Sequence, residues 1–167
     1  MNAKEKVCAL RLGSLQAKLS LSPEQFRHKV IAGNVQEWPG SNEIAEFETR
    51  LRRSDIRLSF PGQAWWPFSS TSLSNPPLLF YLRGCALPKG PGLAVVGSRT
   101  ASDYALRTTR RVVERWASVQ PDGHVITGGG MGVDLEAMKV GLQMGIPVLV
   151  VLASGVDCPR PKANGGV

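Results

Sequence analysis

The second half of the chain alternates short apolar segments with amphipathic ones, and this pattern restricts the possible folds more than any other feature. The apolar segments have the length of buried strands, and they occupy residues 93–96, 125–127 and 148–152. Predicted helices lie between them at residues 103–118 and 134–144. Strands that are separated by helices form parallel sheets with right-handed crossover connections. We therefore predict an α/β fold built on a parallel sheet.

The N-terminal part of the chain is polar and carries helical signals instead. One predicted helix starts at Ser22, a capping residue, has Pro23 in its first turn and ends at Gly33. A second predicted helix covers residues 41–53, where apolar residues recur at near-helical spacing. Its last turn is rich in arginine, which we interpret as a complement to the helix dipole and a solvated face rather than a binding surface.

This change in composition divides the chain into three predicted parts. Residues 1–55 form a small helical domain, and residues 56–77 form a connecting segment with a short strand and a loop rich in serine and proline. Residues 78–167 form the α/β domain, which opens with a strand at residues 78–82. The adjacent tryptophans at 65–66 are expected to cover a neighbouring domain rather than to stack on bases.

The charge balance suits a polyanionic partner. The 167 residues include 20 Lys and Arg against 13 Asp and Glu, which gives a net charge of +7 and favours nucleic acid as a ligand. Many basic proteins are merely soluble, so charge alone leaves both interpretations open. Apolar runs such as residues 146–153 are far shorter than the roughly 20 residues that cross a bilayer, and no apolar secretion segment follows Met1. We expect a cytoplasmic protein without membrane contact.

The cysteine and histidine content argues against a metal centre or a disulfide framework. The three cysteines, Cys8, Cys85 and Cys158, are widely spaced and form no C-x-x-C pair. Only two histidines, His28 and His124, are present, and the acids are not clustered. We predict reduced thiols, no metal site and no bound cofactor.

Three turns that follow the predicted strands carry the residues best suited to binding. Ligands of an open parallel sheet bind beyond the carboxyl ends of its strands. The first turn combines a tight bend, a hydroxyl and a phosphate-binding guanidinium in Gly97, Ser98 and Arg99. The second turn has glycines that let backbone N–H groups approach an anion, and its candidate residues are Gly128, Gly129, Gly130, Gly132 and Asp134. Together with the third turn at residues 153–157, the first and second turns predict a phosphate-binding cradle.

The helix predicted after the first turn carries a row of arginines at intervals of four residues, Arg107, Arg111 and Arg115. Such a row can follow a phosphate backbone, although a charged helix face is more often simply solvated. Arg110 lies beside the row, and Glu114, four residues later, is placed to pair with it. We predict Arg107 and Arg111 as phosphate ligands and keep a solvated face as the alternative.

Several common nucleotide-binding and hydrolytic motifs are absent. The first turn lacks G-x-G-x-x-G, and no G-x-x-x-x-G-K-[ST] loop occurs in the chain. Ser154 lies outside a G-x-S-x-G elbow and has no convincing histidine base. Asp134 could act as a general base, but its position at the start of a helix favours a capping or dipole role.

The three turn motifs, in this order and spacing, resemble those of the DNA-processing protein A (DprA/Smf) family. The motifs read G-S-R at 97–99 with Tyr104, T-G-x-x-x-G-V-D at 127–134, and G-V-D at 155–157 with P-K-A-N at 161–164. Upstream, W-P at 66–67 and N-P-P-L-L-F-Y-L-R-G at 75–84 are similar to the family's entry into its main domain. The resemblance covers roughly residues 56–164.

The resemblance implies a Rossmann-like domain, here incomplete, preceded by a small helical region. It also implies a non-enzymatic protein that binds single-stranded DNA, protects it during natural transformation, loads the recombinase RecA and works as a homodimer. The first turn together with Gly128, Gly132 and Asp134 would then form the DNA pocket. Because the chain stops at Val167, before the family's next strand, we expect a C-terminally truncated domain.

Two other functions remain open. A nucleotide-handling enzyme of related fold, from the phosphoribohydrolase (LOG) group, would carry a P-G-G-x-G-T signature that the second turn lacks. An inactive remnant would expose an open sheet edge that mainly drives association.

Overall fold

The computed structural model describes residues 3–19, 23–60, 66 and 76–159. The chain divides between Ala86 and Leu87 into two compact units, which are called unit 1 and unit 2 below. Within the described ranges, no helix is both long enough and apolar enough to cross a membrane.

Unit 1 contains helices and a two-stranded antiparallel sheet. Its elements are α1 (Ala3–Leu19), α2 (Pro23–Ile31), α3 (Ser41–Arg53), β1 (Ile56–Ser59) and β2 (Phe80–Arg83). Helices α2 and α3 confirm the helices predicted at 22–33 and 41–53, although Ser22 itself lies outside the described residues. At the start of α3, the backbone N–H of Gly40 donates a hydrogen bond to the carboxylate of Glu43 at 2.9 Å, which satisfies a donor that the helix leaves unpaired.

The core of unit 1 joins its helices to its sheet. Helix α3 is amphipathic, and its buried residues Phe47 and Leu51 pack with Leu10 of α1. Leu58 of β1 and Tyr81 of β2 pack against the same cluster. Burial of these apolar side chains therefore ties both strands to the helices.

The strand predicted at residues 78–82 belongs to a different sheet from the one that the sequence indicated. It forms β2 of unit 1, where Phe80 lies opposite Ser59 of β1, and it does not open the α/β domain. The physical reason is the core described above, because Tyr81 is partly buried and packs against the cluster that the helices of unit 1 form. A local apolar pattern marks a strand but does not identify its partner.

The tryptophan pair of the connecting segment is described at one position. The ring of Trp66 meets Phe80 edge to face, with centroids 5.3 Å apart and an interplanar angle of 67°. Trp66 therefore packs on strand β2 of its own unit. Trp65 lies outside the described residues.

Unit 2 has the predicted alternation of strands and helices. Its elements are β3 (Gly92–Ala94), α4 (Asp103–Val119), β4 (His124–Thr127), α5 (Val133–Gln143) and β5 (Val148–Val150). The strands form a parallel sheet in the order β3-β4-β5, which confirms the predicted α/β fold. Strands β3 and β5 each end two residues before their predicted ends, so the turns that follow them begin earlier.

The two helices of unit 2 pack on one face of the sheet. Leu93, Val125 and Val148 are register neighbours across the three strands, and all three belong to one core cluster. Val113 of α4 and Val140 of α5 complete the cluster and are fully buried. This core fixes the rotation of α4, and it therefore determines which side chains α4 exposes.

Candidate functional site

The first turn leaves strand β3 and presents Arg99 to solvent. The backbone N–H of Val95 still donates to the carbonyl of Ile126 at 2.8 Å, after which the chain departs from the sheet. The hydroxyl of Ser98 accepts a hydrogen bond from the N–H of Thr100 at 3.2 Å and donates one to its carbonyl at 3.0 Å. Ser98 thus shapes the turn locally, while Arg99 is exposed.

Asp134 joins the first turn to the second. Its Oδ1 accepts a hydrogen bond from the backbone N–H of Gly97 at 3.2 Å, and its Oδ2 accepts one from the N–H of Gly130 at 3.1 Å. The residue is only 8% exposed. A buried carboxylate requires such donors, and these two come from turns that are far apart in sequence. Asp134 therefore organises the backbone of the predicted cradle.

Gly132 brings the two turns into direct contact. It caps α5 with a φ of +70°, and a Cβ atom at this position would lie 2.7 Å from the carbonyl oxygen of Arg99. The next residue, Val133, donates its N–H to the carbonyl oxygen of Ser98 at 3.2 Å. Only glycine fits this close approach with this backbone conformation. The first turn consequently rests on the N-terminus of α5.

The remaining glycines of the second turn lie between Asp134 and strand β5. Gly128 is exposed beside the carboxylate, whereas Gly129 is buried and has a φ of +70°. A Cβ atom on Gly129 would lie 2.6 Å from a methyl group of Val150. The structure therefore brings Gly97, Ser98 and Arg99 together with the predicted glycines and Asp134, as adjacent backbone at one edge of the sheet.

The third turn follows β5 and is described only in part. The N–H of Val151 donates to the carbonyl of Thr127 at 2.8 Å, and the N–H of Cys158 donates to the carbonyl of Gly155 at 3.1 Å. Residues 161–164, which belong to the same motif, lie outside the described residues. Over the ranges that the structure describes, no group of three or more His, Cys, Asp or Glu side chains could hold a metal ion.

The arginines of α4 divide into one paired and several exposed residues. Arg110 forms a 2.8 Å ion pair with Glu136 of α5, a 3.7 Å pair with Glu114 and a 3.1 Å hydrogen bond to Gln143. The pairing with Glu114 confirms the sequence prediction, whereas the contacts to α5 were missed because they cross between helices. Arg110 thus bridges α4 and α5 at the surface, above the core that packs the two helices together.

The exposed arginines lie on the outer face of α4. Arg107, Arg111 and Arg115 are exposed, whereas Thr109 and Val113 of the same helix are buried. A pocket of about 320 Å³ lies beside the row, and it is lined by Leu93, Arg111, Val112, Arg115, Trp116 and Val119. Arg111 and Arg115 therefore border an apolar surface, which the sequence alone did not indicate.

In the described part of the two turns, the exposed arginine and the buried carboxylate have different surroundings. The exposed guanidinium of Arg99 lies in a turn whose backbone is fixed by Asp134 and Gly132. The carboxylate of Asp134 already accepts two backbone hydrogen bonds and is buried. Guanidinium groups that are free to reach solvent bind phosphate groups bidentately.

Known proteins resemble the chain over most of its length. A sequence model of the DNA recombination-mediator protein A family matches residues 57–167. The chain is 28% identical over 152 residues to the DNA processing protein DprA of Streptococcus pneumoniae, which covers 84% of this chain and 53% of that protein. It is 30% identical over 146 residues to Protein Smf of Synechocystis sp., with 84% and 36% covered.

A solved structure resembles the fold. The X-ray structure of DNA processing protein A (DprA) from Streptococcus pneumoniae superposes with a TM-score of 0.61 at 20% sequence identity. The match covers 93% of this chain and 55% of that chain. The chain therefore spans about half, or less, of the length of the relatives that it matches.

Proposed function

The chain belongs to the DNA recombination-mediator protein A family, as the resemblance of its turn motifs predicted, and we propose that it binds single-stranded DNA in DNA processing and recombination. The named relatives are DNA processing proteins, which supports this role. The bound strand lies along the carboxyl edge of the sheet and the outer face of α4. Its phosphates contact Arg99, Arg107 and Arg111.

The observation that carries the proposal is the exposed Arg99 in a turn of fixed backbone. Asp134 and Gly132 hold this turn against the N-terminus of α5, so the backbone from which the Arg99 side chain extends has a defined position. A ligand group that is positioned in advance loses less conformational entropy on binding. The first turn is therefore suited to hold one phosphate of a polyanion.

The arginine row on α4 extends this contact along a strand. Arg107 and Arg111 are four residues apart, which corresponds to about 6 Å along a helix axis. This spacing is close to that of consecutive phosphates in an extended single strand. Binding through phosphates is independent of base sequence and weakens steeply with salt.

The role proposed for Asp134 is positioning rather than catalysis. A general base needs a carboxylate oxygen that can reach a substrate proton, and both oxygens of Asp134 accept backbone hydrogen bonds. The proposed activity is accordingly binding without chemical conversion. Release of free base from a nucleoside monophosphate would contradict it and favour the phosphoribohydrolase alternative.

The experiment is a salt series of fluorescence anisotropy titrations with labelled oligothymidine and a duplex of the same length. We expect tighter binding of the single strand. Arg99→Ala should weaken it, and the slope of log affinity against log salt should fall by about one, because one phosphate contact is lost. Arg53→Ala, which removes an exposed arginine at the end of α3, is the charge-matched control.

Two outcomes would overturn the proposal. Equal affinity for single strand and duplex would indicate nonspecific attraction by the net charge of +7. The same loss for Arg99→Ala and Arg53→Ala would show that the first turn has no special part in binding.

The proposal extends to the partners that the family suggests, namely the recombinase RecA and a second copy of the chain. When the DNA strand binds along α4, the side of the DNA that faces away from the helix stays accessible to a recombinase. We expect the protein to shorten the lag before RecA hydrolyses ATP on single-stranded DNA, and Arg99→Ala to restore the lag. Sedimentation across a range of concentrations tests the homodimer, and a monomer at every concentration would contradict it.

A further inference from the structure

A tyrosine is exposed beside the cationic surface of unit 2. Tyr104 lies in the first turn of α4 and is 73% exposed. The turn that carries it is fixed, since the side chain of Ser102 accepts a hydrogen bond from the N–H of Ala105 at 3.3 Å. A large aromatic ring on a fixed backbone loses little entropy when a flat ligand covers it.

Helix geometry places this ring in line with the arginines. Tyr104, Arg111 and Arg115 are separated by seven and four residues, so at 3.6 residues per turn they lie along one line of the helix surface. The line runs down the exposed side, because Thr109 and Val113 face the core on the opposite side. All of these arginines are exposed, and the ring stands at the end of α4 that is nearest in sequence to Arg99.

We propose that Tyr104 stacks on an unpaired nucleobase of the DNA strand whose phosphates contact Arg99 and Arg107. This inference rests on the proposed function and adds a base contact to its phosphate contacts. Aromatic rings that alternate with cations are the usual surface for a single strand, because every base has a π face and every linkage a charge. A duplex offers no such face, since its bases are stacked on their neighbours.

The charges around Tyr104 favour this ligand over an apolar protein segment. Arg107 lies one helical turn from the ring and Arg99 lies in the preceding turn of the chain, and both are exposed. A partner on this surface must neutralise the cations while it covers an aromatic ring. A nucleotide does both within one unit.

Two substitutions at Tyr104 distinguish the effect of the aromatic face from the effect of apolar volume. Tyr104→Leu removes the aromatic face but keeps apolar volume, whereas Tyr104→Phe keeps the face and loses only the hydroxyl. Trp38→Leu, at an aromatic residue of unit 1 that is 48% exposed, is the matched control. Each variant is titrated with oligothymidine and with an abasic strand of the same length and charge.

We expect Tyr104→Leu to weaken oligothymidine binding by roughly 5- to 160-fold, the range of one base stacked on an aromatic ring. Binding of the abasic strand should change by less than about twofold, since that strand offers no base to the ring. Tyr104→Phe and Trp38→Leu should bind both strands like the unmodified protein. A 2-aminopurine placed in the strand should lose fluorescence on binding the unmodified protein and Tyr104→Phe, but not Tyr104→Leu.

Three outcomes would overturn the inference. If Tyr104→Leu binds oligothymidine normally while Arg99→Ala remains impaired, the stacking contact is wrong and single-strand binding through phosphates stands. If Tyr104→Leu weakens both strands equally, the residue acts on the fold and not on a base. If the unmodified protein shows no preference for a single strand, the proposed function fails, and the stacking contact fails with it.

Discussion

The backbone N–H of Gly97 donates a 3.2 Å hydrogen bond to the carboxylate of Asp134, a residue 37 positions later in the chain. The other oxygen of this carboxylate accepts the N–H of Gly130, so one side chain links the turns after two neighbouring strands. These two donors, which a phosphate could otherwise have approached, are satisfied within the protein. The exposed guanidinium of Arg99 is therefore the group of the first turn that we propose as the contact to a phosphate.

Asp134→Asn should destabilise unit 2. An amide has one acceptor oxygen in place of two, so the N–H of either Gly97 or Gly130 would face another donor in a partly buried position. The free energy of unfolding should fall by about 1–3 kcal/mol, measured by urea denaturation as a lower midpoint at unchanged slope. Asp103→Asn, at an exposed acid in the first turn of α4, is the control. An unchanged midpoint for Asp134→Asn would contradict the linking role.

A pair of glycine substitutions isolates the contact between the two turns. Gly132 and Gly145 both have a positive φ, but only Gly132 has backbone of the first turn where a Cβ atom would stand. Gly145→Ala should cost about 1–2 kcal/mol, the backbone strain alone. Gly132→Ala should cost clearly more or prevent folding, because the first turn must move away from α5. Equal thermal unfolding temperatures for the two variants would show that the turns do not depend on this contact.

Two neighbouring arginines of α4 should have separable effects. Arg110→Ala removes the ion pair with Glu136, and because the guanidinium is partly exposed the loss should be only about 0.5–1 kcal/mol of unfolding free energy. Arg107→Ala should change the free energy of unfolding by less than about 0.5 kcal/mol, but it should weaken binding of oligothymidine. Both variants lose one positive charge, so each serves as the control for the other. Parallel losses in both measurements would contradict this division.

Stability should fall as the pH drops below about 6.5, the ordinary pKa of histidine. Burial lowers the pKa of His124 in the folded state, so between the two pKa values only the unfolded chain takes up the proton. The free energy of unfolding therefore decreases as the pH falls through that window, and above the window this group does not change it. His124→Gln should reduce the decline in unfolding free energy measured by urea titrations at several pH values. His28→Gln, at an exposed histidine of α2, controls for removing an imidazole.

The sequence predicted elements whose signals are local. Helices α2 and α3 follow from capping signals and apolar residues at near-helical spacing, and strands β3, β4 and β5 follow from apolar runs between amphipathic segments. The same reasoning placed Gly97, Ser98 and Arg99 in one turn and the glycines near Asp134 in another. These predictions succeeded because each depends only on residues within one or two turns of the chain.

The tertiary structure decided which distant groups meet. Strand β2 pairs with β1 of unit 1 because Tyr81 and Leu58 pack against the same core cluster, and no periodicity in residues 78–82 carries that information. The position of Asp134 at the start of a helix favoured a capping or dipole role over a base, but only the fold places Gly97 and Gly130 against its two oxygens. Turn chemistry and amphipathic spacing act along the chain, so the sequence alone indicated most of the elements, although it did not mark helix α1 separately and it placed the ends of β3 and β5 two residues too late. Buried hydrogen bonds require a particular backbone on the opposite side, and only the packed core supplies it.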